Sequence, residues 1–311
     1  MFLIIRKSPK QLGSYKYLMI YMSCFESIYS IIDFIVSPIM FSYESIMVVM
    51  IYKNNSIFFS DWVLLILNGV YCAFFGASMG MFGIQFIYRY FVSTGSKHLK
   101  TFNGFRIFFW ILIPIFVGSI WGSICYFILS PSDEINQRIN NQLMLTFGWE
   151  IQEITYVGAY FYQLQPDGSY KIGWNSVIGV TIAWIIILSS LCVIFYFGIK
   201  CYLNLRQVMR IKQQQNNSSR NFKNLQSQLF NALVTQTTIP VILMHFPLST
   251  VILFTFLDKD LGTLSGVSSI TIALFPALDP LPSMFIIQNY RKFIFGFFKI
   301  TKVKSIKIPL N

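Results

Sequence analysis

With 311 residues, 55% of them apolar, 18% aromatic and only 12% charged, the chain lies outside the composition of a soluble domain, where about a quarter of residues are charged. A net charge of +12 would suit nucleic acid, but the charges fall in short blocks between long apolar runs, the pattern that orients a polytopic membrane protein. Nucleic acid is therefore excluded as a partner, and the fold class expected is an all-α membrane protein with one membrane domain over residues 1–311.

In chain order, residues 1–16 form a basic segment (Arg6, Lys7, Lys10, Lys16) whose basic and apolar parts stand in the wrong order for a signal peptide. Six spans are then predicted, at about 17–41, 62–88, 107–129, 175–203, 229–257 and 265–290. Each exceeds the roughly 20 apolar residues that a bilayer-crossing helix requires. The first span is interrupted by Glu26 and Asp33, and the last by Asp279.

Between them the loops alternate in charge. The N-terminus, the segment with Arg89, Lys97, Lys100 and Arg106, the Gln/Asn-rich segment with Arg206, Arg210, Lys212, Arg220 and Lys223, and residues 291–311 are basic. The other three loops are acidic or nearly neutral. The positive-inside rule then puts both termini in the cytosol and makes 291–311 a cytosolic basic tail. Residues 130–174 become an extracellular lid loop, in which Pro166-Asp167-Gly168 between alternating polar and apolar residues signals a hairpin.

The five cysteines all sit in or at the ends of apolar runs without CxxC spacing, as buried free thiols do. His245 has no His or Cys companions and reads as a packing or hydrogen-bonding residue; no metal site is expected. No nucleophile elbow, phosphate loop or other catalytic constellation occurs, so no catalytic residue, no cofactor and no enzyme activity is expected. Asn54 begins the sequon Asn54-Asn55-Ser56 in an outer loop and is a glycosylation candidate.

Glu26 and Asp33 are seven residues apart and share a helical face. Glu26 and Asp279 lie at a common depth of about 14 to 16 Å from the inner ends of their spans. If their helices adjoin, two carboxylates at that depth must share a proton or a cation. Glu26, Asp33 and Asp279 are thus an expected intramembrane polar network, the alternative being separate hydrogen bonds to Ser, Asn or Tyr.

Four stretches carry a family resemblance: LGSYKYLMIYMSCFESIYSIID (12–33), QFIYRYF (85–91), QLFNALVTQTTIPVILMHFP (228–247) and FPALDPLPSMFIIQNYR (275–291). They resemble the nematode seven-transmembrane serpentine chemoreceptors of the Str family, with the Srj receptors related. The resemblance runs nearly end to end. It implies a rhodopsin-like bundle with six spans present, equivalent to helices 2–7, and a chain lacking its first helix.

It also implies a G-protein-coupled chemosensory receptor for an odorant or other small molecule, in the plasma membrane and the ciliary membrane of sensory neurons. The implied partners are a small-molecule ligand, a heterotrimeric G protein and membrane lipids, and a receptor oligomer is left open. The resemblance implies coupling or switch roles for Arg89, Asp279, Pro280, Tyr290 and Arg291; the alternative for Arg89 is a snorkelling anchor at the membrane boundary. Ligand-binding candidates in the outer bundle are Asn68, Tyr71, Phe75 and Phe246, against the alternative of plain aromatic packing. The rival readings are a secondary transporter, which would need internal repeats that the two halves do not show, and a non-signalling truncated receptor.

Overall fold

The computed structural model describes residues 1–8, 12–56, 59–165, 167–211 and 217–305. Among them are six helical runs long and apolar enough to cross a bilayer. The first is α2 (Tyr15–Val36), after a short α1 (Phe2–Lys7). Next come α3 (Asp61–Thr94) and α4 (Ile107–Ser123), the latter continued by a π-turn at Ile124–Ile128. The fourth run is α6 (Trp174–Ile211). The fifth is α7 (Asn217–Pro240), which passes through a π-turn at Val241–His245 into α8 (Phe246–Phe256). The last is α9 (Gly266–Leu278) with α10 (Pro280–Ile286), followed by α11 (Gln288–Ser305). Phe105, Phe109 and Phe116 stand exposed on the outside of the run that includes α4, an apolar surface suited to hydrocarbon.

The bundle is tied at α3, the most buried of the six spanning runs, which packs against α2, α4, α6 and α7. Its seam with α4 is built from small residues. A Cβ added at Gly118 would stand 2.6 Å from the Ala73 carbonyl oxygen, and one at Gly122 would stand 2.9 Å from that of Gly69. Such close backbone approach is how helices associate where no hydrophobic drive separates protein from lipid.

The expected first span, 17–41, is too long by several residues. Helix α2 stops at Val36 because Pro38 cannot continue it and Ser37 adopts a left-handed φ of 43°. The chain instead enters β1 (Ile39–Tyr43), turns at Glu44-Ser45 and returns as β2 (Ile46–Tyr52). Strand β2 pairs antiparallel with β3 (Ile154–Tyr160), giving the order β1-β2-β3. The other helical runs extend past most of the expected limits; α3, for example, continues to Thr94.

A helical bundle is therefore capped by a sheet, and the lid expected of residues 130–174 is built from a helix, strand β3 and a hairpin. Strand alternation sorts the side chains of β2: Ile46, Val48 and Met50 pack on α5 (Asp133–Phe147), while Met47 and Ile51 join the bundle core. Helix α5 presents Ile135, Ile139 and Leu143, one turn apart, and is capped by Ser132 at its start and by Gly148 (φ 70°) at its end. Arg138 of α5 holds Glu44 of the β1–β2 turn in a two-pronged ion pair, Nε to Oε2 and Nη2 to Oε1, both 2.8 Å. Tyr156 donates to Asn136 Oδ1 at 2.8 Å, and burial pushes its phenol up to about 12, so it remains a donor at neutral pH. The expected hairpin is present as β4 (Tyr162–Leu164) against β5 (Tyr170–Ile172), although Pro166 lies outside the described residues.

Candidate functional site

Three layers stack along α3. The outermost is an apolar cavity of about 80 Å³ beneath the sheet. Met47 and Val49 of β2 with Val157, Gly158 and Ala159 of β3 form its roof, and Tyr71, Cys72, Phe75, Trp121 and Cys125 form its walls and floor. Strand sequence makes this roof: the apolar residues of β2 and β3 that face inward leave it without a polar side chain.

The middle layer is ionisable. Asp279 is wholly buried at the break between α9 and α10, where Pro280 and Pro282 reset the helix. Gln236 of α7 donates its amide to both Asp279 Oδ2 (3.1 Å) and the Asp279 carbonyl (3.0 Å), and takes a hydrogen bond from Ser283 (2.9 Å). Glu26 of α2 faces the same cavity as Gln236, which brings the two acids to one level of the bundle. Glu26 Oε1 and Asp279 Oδ1 are both buried with no hydrogen-bond partner among the described residues. Glu26, Gln85, Gln236 and Ser283 line a cavity of about 200 Å³ at this level. Asp33 is not part of it. Asp33 is half-buried two turns further along α2 and does not line this cavity, so it stands apart from Glu26 and Asp279.

The innermost layer holds Arg89. Its guanidinium lies 3.4 Å from the centroid of the Tyr15 ring, and Nη1 donates to Gln226 Oε1 of α7 at 3.0 Å. Nε and Nη2 have no partner, and no carboxylate reaches the group among the described residues. Tyr15 in turn donates to Gln85 at 3.0 Å. A surface snorkelling anchor would be exposed; Arg89 is 2% exposed.

Residues 1–295 match the family described as serpentine type 7TM GPCR chemoreceptor Str. The chain belongs to the Str family of serpentine chemoreceptors. Among its relatives, G-protein coupled receptor str-217 of Caenorhabditis elegans is 37% identical over 95% of this chain and 83% of its own length. Serpentine receptor class r-10 of the same organism is 29% identical over 94% of this chain and 84% of its own. Serpentine receptor class J-38 is 23% identical over 99% of this chain and 90% of its own. No solved structure matches.

In this Str receptor the four ligand candidates part company. Tyr71 and Phe75 line the outer cavity. Asn68 is buried but serves the roof: its Nδ2 donates to the Val49 carbonyl at 2.8 Å, pinning β2 to α3. Phe246 is 70% exposed and faces outward. The π-turn before it rotates His245 inward, edge-on to Phe75 at 4.9 Å, and the next residue falls on the lipid side. His245 is thus a packing residue, with neither ring nitrogen hydrogen-bonded among the described residues.

Of the coupling candidates, Tyr290 is buried with its hydroxyl 2.7 Å from that of Ser8, Pro280 borders the middle cavity, and Arg291 is exposed. Asn54 is exposed in a 3-10 turn, its amide donating to Tyr52 at 2.9 Å. Cys72, Cys125 and Cys201 are buried and free, and Cys192 is exposed. Trp121, Cys125, Gln226 and Gln236 were not singled out by sequence. The glutamines carry no signal of their own; only their helical spacing toward Arg89 and Asp279, known once α7 is placed, reveals them.

Proposed function

We propose that this G-protein-coupled chemoreceptor binds a small, uncharged molecule in the cavity beneath the β1-β2-β3 sheet. Binding there would shift an inactive–active equilibrium that is read at Arg89. The observation that carries this reading is that one rigid element serves both ends. Tyr71, Cys72 and Phe75 of α3 border the cavity, and Arg89 of the same helix contacts α7 about 21 Å away along the axis.

A cavity of about 80 Å³ is smaller than the roughly 150 Å³ that accommodates benzene in a dry protein core. A ligand must therefore displace the sheet roof or the α8–α9 wall. Movement of α8 is transmitted through α7 to Gln236 and Gln226. The Lys/Arg-rich segments share the Arg89 end, so the positive-inside rule faces that end to the cytosol and the G protein, with exposed Arg291 on its margin. Asn54 at the opposite end is then available for glycosylation.

The test is a ligand-panel calcium assay in cells co-expressing a promiscuous G protein, comparing Phe75→Ala with Phe246→Ala at matched surface level. Phe75→Ala should shift the response to any active compound at least tenfold, and Phe246→Ala should leave it within twofold. Equal effects of the two changes would overturn the assignment of the cavity.

A further inference from the structure

The lipid-facing side of the bundle carries a second, larger concavity. Between α6 and α7 opens a cleft of about 600 Å³, well within the range of cavities that hold an organic ligand. One wall is apolar and built from α6, where Phe195, Ile199 and Tyr202 turn their side chains outward. Gly198 lets α6 approach α3, since a Cβ there would stand 3.2 Å from the Phe86 ring.

The other wall is polar. Asn231, Thr235 and Thr238 of α7, at spacings of four and three, share one exposed helix face along the cleft. The two threonine hydroxyls donate to the carbonyls of Asn231 (3.0 Å) and Val234 (2.9 Å), leaving their lone pairs free. The Asn231 amide makes no hydrogen bond among the described residues. An amide aimed into hydrocarbon without a partner is costly, so Asn231 suits this face to meet something other than acyl chain alone.

Charge identifies the occupant. One turn beyond Tyr202, on the same side of α6, stands Arg206, exposed and in no ion pair among the described residues. Helical spacing puts it one turn past Tyr202, the last residue of α6 to line the cleft, toward the end of the molecule where the basic segments gather. We propose that the α6–α7 cleft binds one anionic phospholipid. An acyl chain lies along the Phe195–Ile199 wall, the ester and glycerol oxygens meet Asn231, and the phosphate lies against Arg206.

The floor of the cleft gives the site a regulatory meaning. Phe86 and Phe230 meet there with centroids 6.3 Å apart. Each is one helical turn from a member of the Arg89–Gln226 pair. A lipid seated on that floor bears directly on the spacing of α3 and α7 where they are hydrogen-bonded. The inference does not depend on the identity of the outer ligand.

The experiment uses the full chain in nanodiscs and three probes with the same diazirine-bearing acyl chain: phosphatidylserine, phosphatidylcholine and a sterol ester. Labelled peptides are mapped by mass spectrometry. Phosphatidylserine should label residues 195–206 and 231–238 above the other two, and Arg206→Gln should lower that labelling about fivefold, the share of one cation near an anionic headgroup. Ile199→Trp and Val234→Trp, which fill the cleft from lipid-exposed positions, should abolish it while leaving thermal stability unchanged. Equal labelling by all three probes that ignores Arg206→Gln would overturn the proposal, since the cleft would then hold bulk lipid. Labelling absent with every probe, with cysteines placed at 199 and 234 cross-linking between copies, would overturn it in favour of a second copy of the chain.

Discussion

Arg89 of α3 is joined to Gln226 of α7 by a single hydrogen bond of 3.0 Å, and its opposite face is covered by the Tyr15 ring at 3.4 Å. A buried cation is thus held by a neutral acceptor and an aromatic face, with no counter-charge among the described residues. That arrangement is weak by the standard of a buried ion pair and can be released by a modest movement of α7.

Removing the acceptor should release it. Gln226→Ala deletes a hydrogen bond to a charged group, worth about 1.5 kcal/mol or more, and so should move the inactive–active equilibrium about tenfold toward the active form. Gln226→Glu should do the opposite by adding a charge partner. Basal G-protein activity at matched surface level measures both. Identical basal activity in the two variants would mean that the contact is structural only.

Glu26 lines the cavity that Gln236 shares, and Gln236 is hydrogen-bonded to Asp279, so the two acids meet at one polar site. Glu26→Gln or Asp279→Asn removes the like-charge conflict, and the second substitution then has little left to remove. The double variant should therefore be non-additive in ligand potency and in thermal stability, with an interaction energy of about 1 kcal/mol or more. Because Asp33 stands apart from the pair, Asp33→Asn should add to either substitution. Additivity of Glu26→Gln with Asp279→Asn would show that the acids act separately.

The six spans were legible because hydropathy alone marks a bilayer-crossing helix. The outer sheet was not, because Ile39-Met40-Phe41 continues the apolar run of α2 and hydrophobicity does not distinguish helix from strand. The signals that did exist were Pro38 and the short run Ile46–Tyr52, too short to span. In the site, position along the spans put Tyr71 and Phe75 in the outer half and Glu26 and Asp279 at a common depth, while the role expected of Arg89 came from the family resemblance. Phe246 was misplaced because a π-turn shifts the helical register by a residue, and nothing in VILMH announces one.

The α3–α4 seam should be the most substitution-sensitive part of the bundle. Gly122→Leu puts a branched side chain where even a Cβ would meet the Gly69 oxygen at 2.9 Å and the Ala73 Cβ at 2.9 Å. Overpacking of this kind typically costs about 1 to 3 kcal/mol, more where backbone is the obstacle. A fluorescence thermal-shift measurement in detergent should show a clear drop for Gly122→Leu. Ser119→Leu, on the exposed side of the same helix, should show almost none. Comparable drops would indicate that α3 and α4 do not approach this closely in the membrane.

The Glu44–Arg138 pair should govern how long a ligand stays under the sheet. It is the ion pair that ties α5 to the β1–β2 turn, with both side chains about one-third exposed. Its two-pronged geometry places it at the upper end of surface pairs, at about 1 kcal/mol. Either Glu44→Ala or Arg138→Ala should loosen the roof and speed ligand dissociation about fivefold. The two together should do no more than either alone, and Glu44→Asp should be intermediate. Raising the salt concentration should speed dissociation from the unaltered receptor and leave the variants unchanged, because exposed charges are screened over about 10 Å at 0.1 M. Washout kinetics in the calcium assay report the rate. If the single variants release ligand at the unaltered rate, the roof is held by its apolar contacts with α5 and the ion pair has no part in gating.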